Sequence, residues 1–506
     1  MDLSQGILLG LQNATTPGNL LVCFIGVLWG TMVGVLPGIG PVGGMAILMP
    51  LTFNMDMTSG IIMMAGIYYG SMYGGSTTSI LAAIPGEVAS AVTILDGHQM
   101  ARNGRPGVAL ALSAIGSFVA GTLGVVALSF IAVPLVTVAL QFGPTEYFAI
   151  AMLGLAMAAY LGADSMLRGV CMAVVGLMVS TVGMSVITAE SRYTFNMLEL
   201  SSGIEPVAVF MGIFGVAEVL VSTERSLQVK VEHAGLFDFR SLLPNRGDWQ
   251  ASFGPMGRGS VLGFIVGILP GAGGTVSSFL SYAMEKRLSK HPEKFGTGIV
   301  EGVIGPESAN NAAAAGSMIP LLCLGVPYNV VTAIMLSTMV VHGIYPSPML
   351  VEREPLFFWT VIGSMYIGNV LLLVLNLPLV GFWASLLKVP YRWLVPLIML
   401  FSITGVYSIN GNLWDVWMML LFGAIGYFMK KLQFPAAPLA LALVLGPLIE
   451  RTMSEALIIS GGSPIVFFTR PMSGAMLTVA LLVLVLPLLG PLIGLRKRLL
   501  PASDED

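Results

Sequence analysis

Two strings place proline and glycine together inside apolar runs. One is Gly30-Thr-Met-Val-Gly34-Val-Leu-Pro37-Gly38-Ile-Gly40-Pro41. The other is Gly263-Phe-Ile-Val-Gly267-Ile-Leu-Pro270-Gly271-Ala-Gly273-Gly274. Proline lacks the backbone donor and clashes with the preceding turn, and glycine is the poorest ordinary helix former. Each string therefore predicts a broken helix. The half-helix that follows a break presents unpaired N–H groups and a positive dipole end, which together seat anions. A carboxylate fits there without a buried arginine. Pro37, Gly38, Gly40, Pro41, Pro270, Gly271, Gly273 and Gly274 are thus candidate substrate-binding positions. Thr275, Ser277 and Ser278 add hydroxyls to the second terminus, and Asn310 and Asn311 add amides.

A second pair of interrupted segments is polar. Tyr73-Gly-Gly-Ser76-Thr77-Thr78-Ser79 leads to Pro85-Gly86-Glu87, and Glu307-Ser-Ala-Asn310-Asn311 leads to Pro327-Tyr328-Asn329. Hydroxyls, amides and unwound carbonyls suit Na⁺ or a carboxylate, and ionisable groups inside spans are functional candidates. Ser76, Thr77, Thr78, Glu87, Asp96, Glu307 and Asn329 are the candidates for coupling to Na⁺ or H⁺. Cys23, Cys171 and Cys323 lie in separate apolar runs, so no transition-metal site and no disulfide framework is expected. No cofactor is expected. The plainer readings are structural. Gly-Pro pairs kink helices, Ser and Thr bond between helices, and GxxxG at Gly30/Gly34 and Gly263/Gly267 packs them. Glu87 and Asp96 would then sit at the cytoplasmic interface, and His98 and His342, near loop ends, would be ordinary interfacial residues. Glu285-Lys-Arg would be a solvated loop, and Trp29, Trp383, Trp393, Trp414 and Trp417 interfacial anchors.

The chain around these positions is built for lipid. Of its 506 residues, 56% are hydrophobic and 10% charged, against about 25% charged in soluble domains. Apolar runs near the roughly 20 residues that a spanning helix needs recur from Asn19 to Leu495. The pattern predicts an all-α polytopic membrane protein with about 11–12 transmembrane helices plus re-entrant hairpins. A net charge of −3 gives no basic face for nucleic acid. No cation precedes the first apolar stretch, so no cleaved signal peptide is expected.

Short-loop cations mark the cytoplasmic side. They place Arg102/Arg105, Arg168, the central loop, Lys286–Lys294, Lys388/Arg392, Lys430/Lys431 and the C-terminal Arg496-Lys497-Arg498 inside. The order closes if 19–52 and 259–284 each enter and leave on one side. The two Pro-Gly strings align in register, and Ala83-Ile-Pro-Gly-Glu87 aligns with Gly325-Val-Pro-Tyr-Asn329. Matching loops carry opposite charge bias. The expected layout is two inverted-topology repeats, 1–222 and 259–451, joined by a cytoplasmic linker at 223–258 and followed by a terminal helix and cytoplasmic tail at 452–506. Such repeats place the substrate near mid-membrane, at their interface.

Several of these strings, in order, resemble the large membrane subunit of the tripartite tricarboxylate transporter family, the TctA type. They include Gly34-Val-Leu-Pro37-Gly38-Ile-Gly40-Pro41, Tyr68-Tyr69-Gly70-Ser71-Met72-Tyr73-Gly74-Gly75-Ser76-Thr77-Thr78-Ser79, Gly267-Ile-Leu-Pro270-Gly271-Ala-Gly273-Gly274-Thr275 and Gly305-Pro306-Glu307-Ser308-Ala309-Asn310-Asn311. The likeness spans about residues 20–440. It implies a permease in the bacterial inner membrane that imports carboxylates such as citrate by cation symport. It further implies work with a small four-helix membrane subunit (TctB type) and a periplasmic solute-binding protein (TctC type). No GxxxxGK[ST] is present for ATP binding. The competing readings are a passive anion channel and an intramembrane enzyme. The latter lacks HExxH, GxSxG and paired carboxylates in one span.

Overall fold

Proline opens many of the helices, because its missing N–H is spare in a first turn. In the computed structural model, residues 3–36, 39–161, 165–185, 187–224, 242–269, 273–386 and 391–499 are described. The first half holds α1 (Leu3–Ala14), α2 (Pro17–Val35), α3 (Gly40–Thr52) and α4 (Met57–Ala82). A 3₁₀ turn (Val88–Ala91), a π turn (Ile94–His98) and α5 (Gln99–Arg102) follow. Then come α6 (Pro106–Ala139), α7 (Pro144–Leu161) and α8 (Met166–Ser180). A two-stranded ribbon, β1 (Gly183–Met184) and β2 (Ser191–Arg192), precedes α9 (Pro206–Phe210), which runs through a π turn into α10 (Ala217–Glu224).

The second half holds α11 (Arg246–Ile268), α12 (Gly273–Leu288), α13 (Glu301–Gly316), α14 (Val330–Val341) and α15 (Leu350–Arg353). It continues with α16 (Pro355–Asn376), α17 (Val380–Leu386), α18 (Tyr391–Asn410), α19 (Leu413–Lys431), α20 (Ala436–Ile459), α21 (Val466–Thr469) and α22 (Pro471–Leu499). Helices α2, α6, α16, α19 and α20 are each long and apolar enough to cross a membrane, and shorter apolar helices accompany them. The protein is an all-α polytopic membrane protein.

Small residues set the central packing. Gly26, Gly30 and Gly34 on α2 bring the backbone of α4 so close that an added Cβ would lie 2.4–2.5 Å from the carbonyls of Met63, Ile67 and Ser71. Gly259, Gly263 and Gly267 on α11 meet the carbonyls of Gly305, Ala309 and Ala313 on α13 in the same way, at 2.1–2.5 Å. The GxxxG pattern is therefore a packing device in both halves, as small residues are in membranes generally.

Several boundaries differ from the sequence reading. The linker expected at 223–258 is helical from Arg246, and residues 225–241 lie outside those described. Asn245 and Asp248 form a capping box that starts α11 early. Arg105 pairs with Asp248 at 2.6 Å, so a polar stretch is helix rather than loop. Glu285 is not solvated. It is buried on α12 and chelated by Arg258 at 2.9 and 2.5 Å. Trp383 is buried and donates to the Leu375 carbonyl, so it is a core side chain rather than an interfacial anchor. Helix α20, in which the second unit is expected to end at 451, runs to Ile459.

Candidate functional site

Both breaks fall where proline and glycine predict them. α2 ends at Val35 and α3 starts at Gly40; α11 ends at Ile268 and α12 starts at Gly273. Pro37, Gly38, Pro270 and Gly271 lie outside the described residues. Gly40 (φ 60°) and Gly273 (φ 70°) both adopt the left-handed conformation that favours glycine, in open space. Thr78 donates to the Val35 carbonyl at 2.7 Å, satisfying an acceptor that the break frees.

The second interruptions match each other as well. Ala83 (φ 54°) closes α4 and Gly325 (φ 68°) closes the π turn Pro320–Leu324 after α13, both left-handed. Glu87 then caps the Val88–Ala91 turn in a capping box with Ser90, and Asn329 caps α14 in one with Thr332. Each capping side chain also reaches into the other half. Glu87 Oε1 accepts from Asn310 Nδ2 on α13 at 3.0 Å, and Asn329 Nδ2 donates to the Tyr68 hydroxyl on α4 at 2.9 Å. Tyr68 and Asn310 are 242 residues apart (310 − 68), as are Glu87 and Asn329 (329 − 87). The two contacts are thus equivalent under the duplication, each half clasping the other.

The first turn of α12 lies beside one clasp. A Cβ on Gly274 would stand 2.7 Å from Asn310 Oδ1 and 3.5 Å from the Ala89 Cβ. Asn310 Oδ1 is buried and without a hydrogen-bond partner. Gly273, Gly274, Asn310 and Glu87 therefore converge. Thr275 is half-buried in the same turn. Ser277 and Ser278 instead turn their hydroxyls to the Gly274 carbonyl, at 2.6 and 3.1 Å, holding the helix start. Gly40 and Pro41 form the equivalent first turn of α3.

Glu307 forms a separate buried centre on α13. Its carboxylate accepts from Ser76 on α4 at 2.6 Å and from Thr93, while Ser113 and Ser117 on α6 stand close by. Asn311 donates to Ser117 at 2.7 Å, and Thr77 lines a cleft on the other side. Asp96 stands apart from both centres. Tyr282 donates to it at 2.8 Å, and the N–H groups of Gly296, Gly298 and Ile299 donate at 2.7–3.1 Å. It fastens the 296–299 turn. The sequence reading did not single out Tyr68, Thr93, Ser113, Ser117 or Tyr282. The first entered only as part of a string that carries the family resemblance, and the serines lie in an ordinary apolar span.

Comparison with known proteins identifies relatives of the chain. An uncharacterized 52.8 kDa protein of the TAR-I ttuC′ 3′ region of Agrobacterium vitis is 46% identical over 505 residues, covering 100% of both chains. An uncharacterized protein of the TAR-II ttuC′ 3′ region of the same organism is 45% identical over 242 residues, 48% of this chain and 100% of that one. No solved structure matches. A family model described as the tripartite tricarboxylate transporter TctA family matches residues 20–441, and the chain belongs to that family.

Proposed function

We propose that this membrane subunit imports tricarboxylates or related carboxylates across the bacterial inner membrane by cation symport. A periplasmic solute-binding protein delivers the substrate, and a small four-helix subunit completes the complex. The two halves lie in opposite orientations, with the C-terminus in the cytoplasm. The carboxylate is held between the first turns of α3 and α12, and Asn310 and Glu87 border it. The observation that carries this reading is the exchanged pair of clasps, Glu87–Asn310 and Asn329–Tyr68, the first beside the start of α12 at left-handed Gly273, which α3 repeats at left-handed Gly40. Two matched halves around broken helices are the framework of alternating access in secondary transporters.

Reconstitution into proteoliposomes with the partner subunits tests it. Uptake of a radiolabelled carboxylate is expected to need both the binding protein and an imposed Na⁺ or H⁺ gradient. Flux that persists without either would identify a passive anion channel instead.

A further inference from the structure

Glu307 lies between two narrow clefts, and neither belongs to the carboxylate seat beside Gly273. The first is lined by Tyr73 and Thr77 on α4, Ser113 on α6, Asn376 on α16, and Leu242. The second is lined by Tyr69 on α4, Gly121 and Val125 on α6, Asn311 on α13 and Asn369 on α16. Each holds space for about one water molecule. Each also holds a buried polar atom with no partner: Asn376 Oδ1 in the first and the Tyr69 hydroxyl in the second. Both side chains are more than nine-tenths buried. Such orphans mark unfilled hydrogen-bonding positions, which water satisfies.

The connection between the clefts is polar. Ser113 lines the first cleft and stands beside Glu307, whose carboxylate also accepts from Ser76, next to the Thr77 of that cleft. Ser117 stands beside Glu307 and accepts from Asn311, which lines the second. Because Asn311 donates to Ser117, the serine's own proton is free to point at the carboxylate. Ser113, Ser117, Gly121 and Val125 recur at four-residue steps along one face of α6, a run of about 18 Å at 1.5 Å per residue. That covers more than half of a hydrocarbon core about 30 Å thick. Tyr69 and Tyr73 repeat the same step on α4, and Tyr73 donates to Asn369 at 3.0 Å between the clefts.

We propose that this seam is a proton path, separate from the carboxylate seat, with Glu307 as its relay. The assignment deepens the symport reading above by naming the ion and its route. A hydronium in the second cleft gives its proton through the Ser117 hydroxyl to the Glu307 carboxylate, leaving water and a neutral carboxylic acid. The acid passes that proton through Ser113 to water in the first cleft and regains its charge. One positive charge crosses and no other bond changes. The titratable neighbours are Glu87 in the 3₁₀ turn and Tyr73 on α4. Asp96 and the Arg258–Glu285 pair lie against Gly302 and Gly305 at the start of the same helix.

Infrared difference spectra of the full chain in lipid, recorded between acid and alkaline pH, test the relay without any partner. The expected signal is a protonated-carboxyl C=O band that shifts in D₂O, disappears in Glu307→Gln and changes frequency in Glu307→Asp. A spectrum identical in wild type and both variants would overturn the proposal. So would a band that responds to Na⁺ at fixed pH, which would make the site a sodium site. In proteoliposomes of the complex with trapped pH dye and radiolabelled citrate, Glu307→Gln is expected to lower uphill uptake at least tenfold and abolish lumen acidification, while citrate exchange persists. Wild-type accumulation by that variant would also overturn the relay. A wild-type complex that moves no citrate would count against the carboxylate reading alone, with the infrared result still deciding the relay.

Discussion

At the residue scale, similar chemistry serves different ends. Gly273 has open space around its missing Cβ but a φ of 70°. A larger side chain there is strained by about 1–2 kcal/mol without a clash. Gly273→Val is therefore expected to yield inserted, monodisperse protein whose carboxylate uptake falls at least tenfold, read by size-exclusion profile and transport in parallel. Wild-type uptake would remove the start of α12 from the binding site. Asp96 reads as a coupling candidate in sequence because it is an ionisable group in a predicted span. In the fold its carboxylate receives a tyrosine hydroxyl and three backbone N–H groups. Bonds to a charged acceptor are worth roughly 1.5–3 kcal/mol each. Asp96→Asn should lower the thermal unfolding midpoint and leave the ion dependence of the remaining transport unchanged; an altered ion dependence at unchanged stability would make it a coupling residue.

At the element scale, glycine stripes decide how close helices approach. A side chain at Gly263 would enter the Ala309 backbone at 2.1 Å, and backbone cannot swing aside. Gly263→Leu must separate α11 from α13, and overpacking of that kind destabilises by about 1–3 kcal/mol or more. The expected outcome is aggregated protein in fluorescence-detected chromatography; a sharp wild-type peak would show that the two helices are not locked. Element types and most ends were legible in the sequence, because proline and glycine interrupt helices by local chemistry alone. Two misreadings have a common cause. α1 was not assigned because it is short, yet Gly6 and Gly10 lay it against Trp359 on α16. The polar start of α11 reads as loop, yet Asn245, Arg105 and Glu285 provide its cap and charge partners. Apart from the local Asn245–Asp248 cap, the contacts that hold both segments come from elsewhere in the chain, which periodicity does not encode.

At the scale of the whole molecule, the duplication organises everything else. The Pro-Gly strings and the Ala83/Gly325 alignment were visible in sequence, but the clasps they generate were not. Residue order shows that Glu87 corresponds to Asn329; it does not show that Glu87 reaches Asn310 while Asn329 reaches Tyr68. The Glu307 centre was partly legible for the same reason. Ser76 and Glu307 stood out as polar groups in apolar runs, while Thr93, just before the π turn, and Ser113 and Ser117 on α6 became relevant only once both segments were packed on α13. The central claim is that the two halves face opposite sides of the membrane, so that each break opens to its own compartment. Cysteine accessibility at Asn54 and Leu288 tests this most directly, one position following α3 and the other ending α12. The exposed Cys171 is first replaced by serine, and the buried Cys23 and Cys323 are kept. With a membrane-impermeant maleimide on intact cells, the account predicts labelling at position 54 and protection at 288 until the membrane is permeabilised. Equal labelling of both positions from one side would contradict it.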